Sequence, residues 1–233
     1  MIEIMTEFYH TYNRGVEKRK IFLEDVDYLR GVHDLYEFND TNAVLNLYRR
    51  FDGCPTSITS ISLANPREKL VNIAVWCLMP NHYHLFLYPL ADRGISKFHK
   101  KFGGGFTNFF NIKYKRNGVL FQGKYKRIKV TNDIQALQLI CYMHANPLDL
   151  WKPNWKEKGL TNLEIKDALE FLEKKYRWSS HLDWWGIKNF PSLIDTDFMR
   201  RFFRTPAEYR EFFIDWLRYY AKNINSIQKF ILE

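Results

Sequence analysis

Cysteine is scarce in this chain of 233 residues: Cys54, Cys77 and Cys141 lie far apart, form no CxxC pair and leave an odd count. That argues against a disulfide framework or a cysteine-based structural zinc, and for a reducing cytosol. Long apolar runs are missing too, and none reaches the roughly 20 residues needed to span a bilayer. The opening MIEIMTEFYH lacks the basic-then-apolar order of a secretory signal. No internal repeat or low-complexity block interrupts the chain. Acidic residues are absent from one long stretch, between Asp92 and Asp133, which carries Arg93, Lys97, Lys100, Lys101, Lys113, Lys115, Arg116, Lys124, Lys126, Arg127 and Lys129 among Phe and Tyr.

What is present points to an anionic partner. The net charge is +9, the pI near 9.3, and aromatics reach 17%. Cations track phosphates and aromatic rings stack on unpaired bases, so the acid-free stretch suits single-stranded nucleic acid rather than a membrane. A hydrophobic content of 46% is enough for a substantial core. The length fits one large domain or one domain with an appendage, here expected as a catalytic domain over 1–150 and a mostly helical extension over 151–233.

Periodicity predicts a strand over 5–12, a turn at Asn13-Arg14-Gly15 and a helix from Asp27 to Phe38, which 39–50 extends or follows with a second short helix. A loop or insertion follows over 51–66, and then a strand pair, Leu70 to Leu78 and His82 to Tyr88, with a tight turn at Pro80-Asn81. Ile95 to Tyr114 reads as a helix that contains Gly103-Gly104-Gly105, so either it breaks there or some backbone comes very close. Val119 to Val130 reads as a strand pair or one bent strand. Asn132-Asp133 caps a helix from Ile134 to Ala145 that Pro147 ends. Further helices are expected over Leu163 to Lys175 and Pro206 to Asn223. This order predicts an α+β, ferredoxin-like (split βαβ) fold, an antiparallel sheet with helices packed on it.

The chemistry gathers around WCLMPNHYHLFLY. On a strand, His82 and His84 point to the same face and can share one divalent ion. On the helix ICYMHANP, Tyr142 and Asn146 are four apart and project together, whereas His144 falls roughly opposite and reads as a structural or surface residue. His10, His33, His99 and His181 have no ligand-like neighbours in sequence. A tyrosine can attack a backbone phosphorus and store the broken bond as a phosphotyrosine ester. A Lewis acid polarises the phosphate. Two imidazoles and an amide oxygen suit Mg²⁺ or Mn²⁺.

MPNHYHLFL, with YMHANP downstream, resembles the HUH (His, hydrophobic, His) single-tyrosine transposases, and most of all their REP-associated branch. YHTYNRGVEKRKIF, GVLFQGKYKRIKV and YRWSS also resemble that branch, in the expected order over roughly residues 6–185. The resemblance implies His82 and His84 as metal ligands, Tyr142 as nucleophile and Asn146 as third ligand, with Mg²⁺ or Mn²⁺ as cofactor. It implies nicking and rejoining of single-stranded DNA beside a hairpin through a 5′-phosphotyrosine. Arg14, Lys124, Lys126, Arg127 and Lys129 would contact DNA, and the chain would work in the cytoplasm at the nucleoid, as monomer or homodimer. It departs from the branch in the triple glycine, in an insertion around Phe51 to Lys69, in Cys141 where arginine is common, and in the lack of a recognisable motif over 186–233. A domesticated, non-cutting binder of single strands is the alternative, and a larger relaxase a third.

Overall fold

The computed structural model describes residues 7–43 and 67–222, with side chains through Tyr220. The sequence expectations for 51–66 and most of 39–50 fall outside those residues. Four strands, β1 (Phe8–Arg14), β2 (Val71–Met79), β3 (His82–Pro89) and β4 (Lys126–Val130), form one sheet in the order β2-β3-β1-β4. Every neighbouring pair is antiparallel. Helix α1 (Asp25–Glu37) connects β1 to β2, and α2 (Gly94–Lys113) connects β3 to β4. This is the α+β, split βαβ arrangement that the element order predicted.

Two local readings change. Asn13 and Arg14 finish β1 rather than turning, and pair with Tyr83 and His82. Of Val119 to Val130 only the last five residues form a strand. Before them, Leu120 to Gly123 wraps the end of β1 through Val16 N–H to the Leu120 carbonyl (2.9 Å) and Gln122 N–H to the Arg14 carbonyl (2.8 Å).

Strands β2 and β3 are buried almost along their whole length, because both faces of the sheet are covered. On one face lie α1 and α2, built on Phe22, Val32, Leu35, Phe98, Phe102 and Phe106. The buried Asp27 carboxylate ties these two helices together: it accepts from the Leu23 and Glu24 backbone and from Lys113 and Tyr114 at the end of α2.

The other face meets α3 (Asp133–Ala145), whose Asn132 cap accepts from the Gln135 N–H at 2.8 Å. Every residue from Leu139 to Ala145 is buried, so α3 lies between the sheet and the helices that follow. These are α4 (Leu148–Trp151), α5 (Trp155–Lys158), α6 (Asn162–Lys174), α7 (His181–Trp185), α8 (Thr196–Phe202) and α9 (Pro206–Lys222). His144 anchors them: its Nδ1 meets the Tyr209 hydroxyl at 2.7 Å and its Nε2 the Ser180 hydroxyl at 2.8 Å, all fully buried. The YRWSS segment closes the β2 edge, with Leu78 N–H on the Trp178 carbonyl (2.9 Å) and Ser180 N–H on the Trp76 carbonyl (3.0 Å). No helix among the described residues is long and apolar enough to cross a membrane.

Helix α2 runs unbroken through its three glycines, and they differ. A Cβ on Gly105 would strike the Phe38 ring, so that glycine permits close packing, whereas a Cβ on Gly103 or Gly104 meets nothing within 4 Å. Gly105→Ala should therefore destabilise the fold by about 1–3 kcal/mol through overpacking. Gly103→Ala and Gly104→Ala should each stabilise it by roughly 0.5–1 kcal/mol through helix propensity. Denaturant unfolding of the three variants checks this, and equal signs would contradict it.

Candidate active site

The turn at Pro80-Asn81 places His82 first on β3, beside Met79, and His84 beside Cys77. Across the sheet, His82 lies opposite Arg14 and His84 opposite Tyr12. Strand alternation puts His10, Tyr12 and Arg14 on the same face as both histidines. The two imidazoles stand edge to face, with ring centroids 4.8 Å apart and planes at 89°. The Asn81 Oδ1 lies 2.6 Å from the His82 Nδ1. An amide oxygen only accepts, so Nδ1 carries the proton and Nε2 keeps its lone pair. His84 meets His10 through Nδ1 and Nε2 at 3.0 Å, and their rings stack 5.2 Å apart.

Both imidazoles are held neutral. Burial, then the nearby charges of Arg14 and Lys156, pushes His82 down to about 3. Burial, followed by His82, His10, Lys156 and Arg14, drives His84 well below the usual histidine range. The rings open on a pocket of about 240 Å³ lined also by Tyr12, Arg14, Gln122, Lys124 and Lys126.

Tyr142 and Asn146 do share a face of α3, and one lysine touches both. Lys156 Nζ sits 4.7 Å from the Tyr142 ring centroid and 2.7 Å from Asn146 Oδ1. It also pairs with Asp149 at 2.7 Å, and its carbonyl accepts from the Tyr220 hydroxyl at 3.3 Å. Tyr142 is buried and, among the described residues, neither it nor Asn146 lines the histidine pocket. Lys156 and His10 touch the predicted residues and are the neighbours that sequence spacing missed. Lys156 belongs to a four-residue helix in a lysine-rich connection, and the register that sets His10 against His84 comes from long-range strand pairing.

The donor set can be tested against a divalent ion. Two neutral imidazoles, one with its tautomer fixed, are competent ligands. Asn146 Oδ1 gives one lone pair to Lys156 and has a second, while Asn146 Nδ2 has no hydrogen-bond partner among the described residues. Among the described residues no group of three or more His, Cys, Asp or Glu side chains is arranged to hold a metal ion. Of the three sequence-predicted ligands, His82 and His84 line one pocket, whereas Asn146 is buried outside its lining.

The five expected DNA contacts separate. Arg14, Lys124 and Lys126 surround the histidine pocket. Arg127 points to the opposite face, 4.9 Å from the Tyr9 ring centroid. Lys129, further along β4, is paired with Glu7.

No protein-family model matches this chain, and no curated protein matches its sequence. Among solved structures it is similar to a REP-associated tyrosine transposase bound to a REP hairpin, at 14% identity and a TM-score of 0.40, over 62% of this chain and 68% of that one.

Proposed function

We propose that this protein is a metal-dependent nickase and strand transferase for single-stranded DNA at hairpin-flanked sites, with Tyr142 as nucleophile. The observation that carries this is the position of Lys156, in contact with Tyr142 and Asn146 and within electrostatic reach of His82 and His84. It supports grouping the strand-borne imidazoles with the helix-borne phenol. The order of MPNHYHL and YMHANP in the sequence supports the same reading.

In the reaction, the Tyr142 oxygen forms a bond to phosphorus as the P–O3′ bond breaks. The electron pair leaves with O3′, which takes a proton, and the phenol proton passes to solvent. The result is a 5′-phosphotyrosine and a free 3′-OH, and attack by another 3′-OH reverses the step without ATP. Arg14, Lys124 and Lys126 hold the flanking phosphates. Bound to His82, His84 and Asn146, Mg²⁺ or Mn²⁺ would supply Lewis-acid charge to a phosphate oxygen.

The test is a hairpin-bearing oligonucleotide with Mg²⁺ or Mn²⁺. Wild type should give a denaturation-resistant adduct on the 5′ phosphate of the downstream fragment, and Tyr142→Phe none. A second reading, a binder that does not cut, draws on the burial of Tyr142 away from the pocket lining. It requires hairpin binding with no adduct from either protein.

A further inference from the structure

A second and larger cavity, of about 1170 Å³, opens on the other face of the sheet. Strand alternation assigns its Asn13, Tyr83 and Arg127 to the face opposite the two histidines. The two pockets nevertheless share Asn13 and Lys124. The loop between them is fixed to the end of β1, with Asn13 Nδ2 donating to the Gly123 carbonyl at 3.1 Å and Gln122 N–H to the Arg14 carbonyl. The end of the sheet is thus a saddle, with Lys124 facing both sides.

We infer that the larger cavity holds one unpaired nucleotide of the strand that crosses this saddle, its base in the cavity and its phosphates on Lys100, Lys124 and Arg127. Three observations carry this. First, no Asp or Glu lines the cavity, while those three exposed cations do, so its charge matches phosphate. Second, one wall is aromatic and uncharged. His99 and Tyr125 stack with centroids 3.9 Å apart and planes at 12°. Both His99 nitrogens are engaged, Nδ1 with the Tyr83 hydroxyl (3.1 Å) and Nε2 with the Thr11 hydroxyl (3.0 Å), and burial holds the ring neutral. His99 therefore backs the half-buried Tyr125 ring as an uncharged support, and Tyr125 is the aromatic surface on which a base can stack.

Third, Gly103 and Gly104 line the same cavity. Phe38 explains Gly105 but not these two, since a Cβ on either meets nothing within 4 Å. Each weakens α2, and what the missing side chains leave is space in the cavity. The inference rests on the proposed function only for the identity of the strand, because the cavity chemistry asks for a nucleotide either way.

The experiment uses the full chain and reads binding, not cleavage. A labelled single strand of about 12 nucleotides is titrated against wild type and Gly104→Leu, with circular dichroism melting to confirm the fold. Leucine favours helix and enters open space, so the variant should fold. Its affinity for the strand should fall about tenfold, as expected for the loss of one stacked base. An abasic strand of equal length should bind both proteins alike. Unchanged affinity of Gly104→Leu for the normal strand overturns the inference. So does an equal loss for the abasic strand, which would mean a phosphate effect alone. Competition by free nucleoside monophosphates at concentrations below those of the strand would make this a free-nucleotide site and overturn the strand assignment. Slot-dependent binding without any Tyr142 adduct would leave this inference standing and the proposed function fallen. An adduct formed with Gly104→Leu binding unimpaired would do the reverse.

Discussion

Lowering the pH from about 7.5 to 5.5 should remove at least ~5 kcal/mol of folding stability, and the protein should unfold in acid well before its carboxylates are neutralised. The cause is an unusual load of buried neutral imidazoles. Burial pushes His10, His99 and His181 down to about 3 and drives His84 and His144 well below 6.5. Each ring is locked in place: His10 on His84, His99 between Tyr83 and Thr11, His144 between Tyr209 and Ser180, His181 also on Tyr209 at 3.1 Å. In the unfolded chain these five titrate near 6.5. Their folded pKa values are depressed, so below 6.5 the unfolded state binds more protons than the native state. Their contribution is complete above 6.5 and is lost as pH falls from 6.5 toward 3.

Each group contributes a slope of up to about 1.4 kcal/mol per pH unit, and five give up to about 7. Against a typical domain stability of about 5–15 kcal/mol, that is enough to unfold the chain between roughly pH 6 and 4.5. Burial raises the Asp34 and Asp183 carboxyls, which opposes the trend, but they are two groups against five. Urea unfolding at the two pH values, with proton uptake measured across the transition, checks this. A difference below about 1 kcal/mol would show that these imidazoles are not held neutral.

How much of this was legible in the sequence depends on the range of the interaction. The Pro80-Asn81 turn, the HxH strand after it and the Asn132 cap are set by residues adjacent in the chain, and they stand where the spacing placed them. The face shared by Tyr142 and Asn146 follows from helical geometry, and Lys156 touching both reflects it. His10 read as an unremarkable strand residue because its importance arises only when β1 pairs with β3, 74 residues away. Asn13-Arg14-Gly15 has turn composition, yet tertiary pairing with β3 and with the Phe121 segment draws it into the sheet. The triple glycine read as a break or a close backbone approach is neither: the helix is continuous, and at Gly105 it is the distant Phe38 side-chain ring that comes close. The fold was thus readable from local pattern, whereas the two neighbours that touch the predicted site residues, His10 and Lys156, were not.

Under the proposed function, Lys156→Met should slow formation of the Tyr142 adduct on the order of 100-fold while tightening the binding of Mn²⁺. The two effects have opposite signs because one charge serves two neighbours. At 4.7 Å from the Tyr142 ring centroid, the ammonium favours the negative charge that grows on the phenol oxygen as its proton leaves. At an effective dielectric of about 20 a full charge at that distance is worth roughly 3 kcal/mol, or about two powers of ten in rate. The same ammonium is felt at His82 and His84, where it disfavours a second positive charge, and it occupies one lone pair of Asn146 Oδ1. Removing it relieves the repulsion and returns the amide oxygen to the donor set. Methionine keeps most of the volume, and Lys156 is half-buried, so the fold should survive. Lys156→Arg keeps the charge and should retain most of the rate. Single-turnover adduct formation and a Mn²⁺ titration followed by paramagnetic resonance separate the two roles. A rate within about threefold of wild type, with unchanged metal affinity, would reduce Lys156 to a brace between α5 and the end of α3.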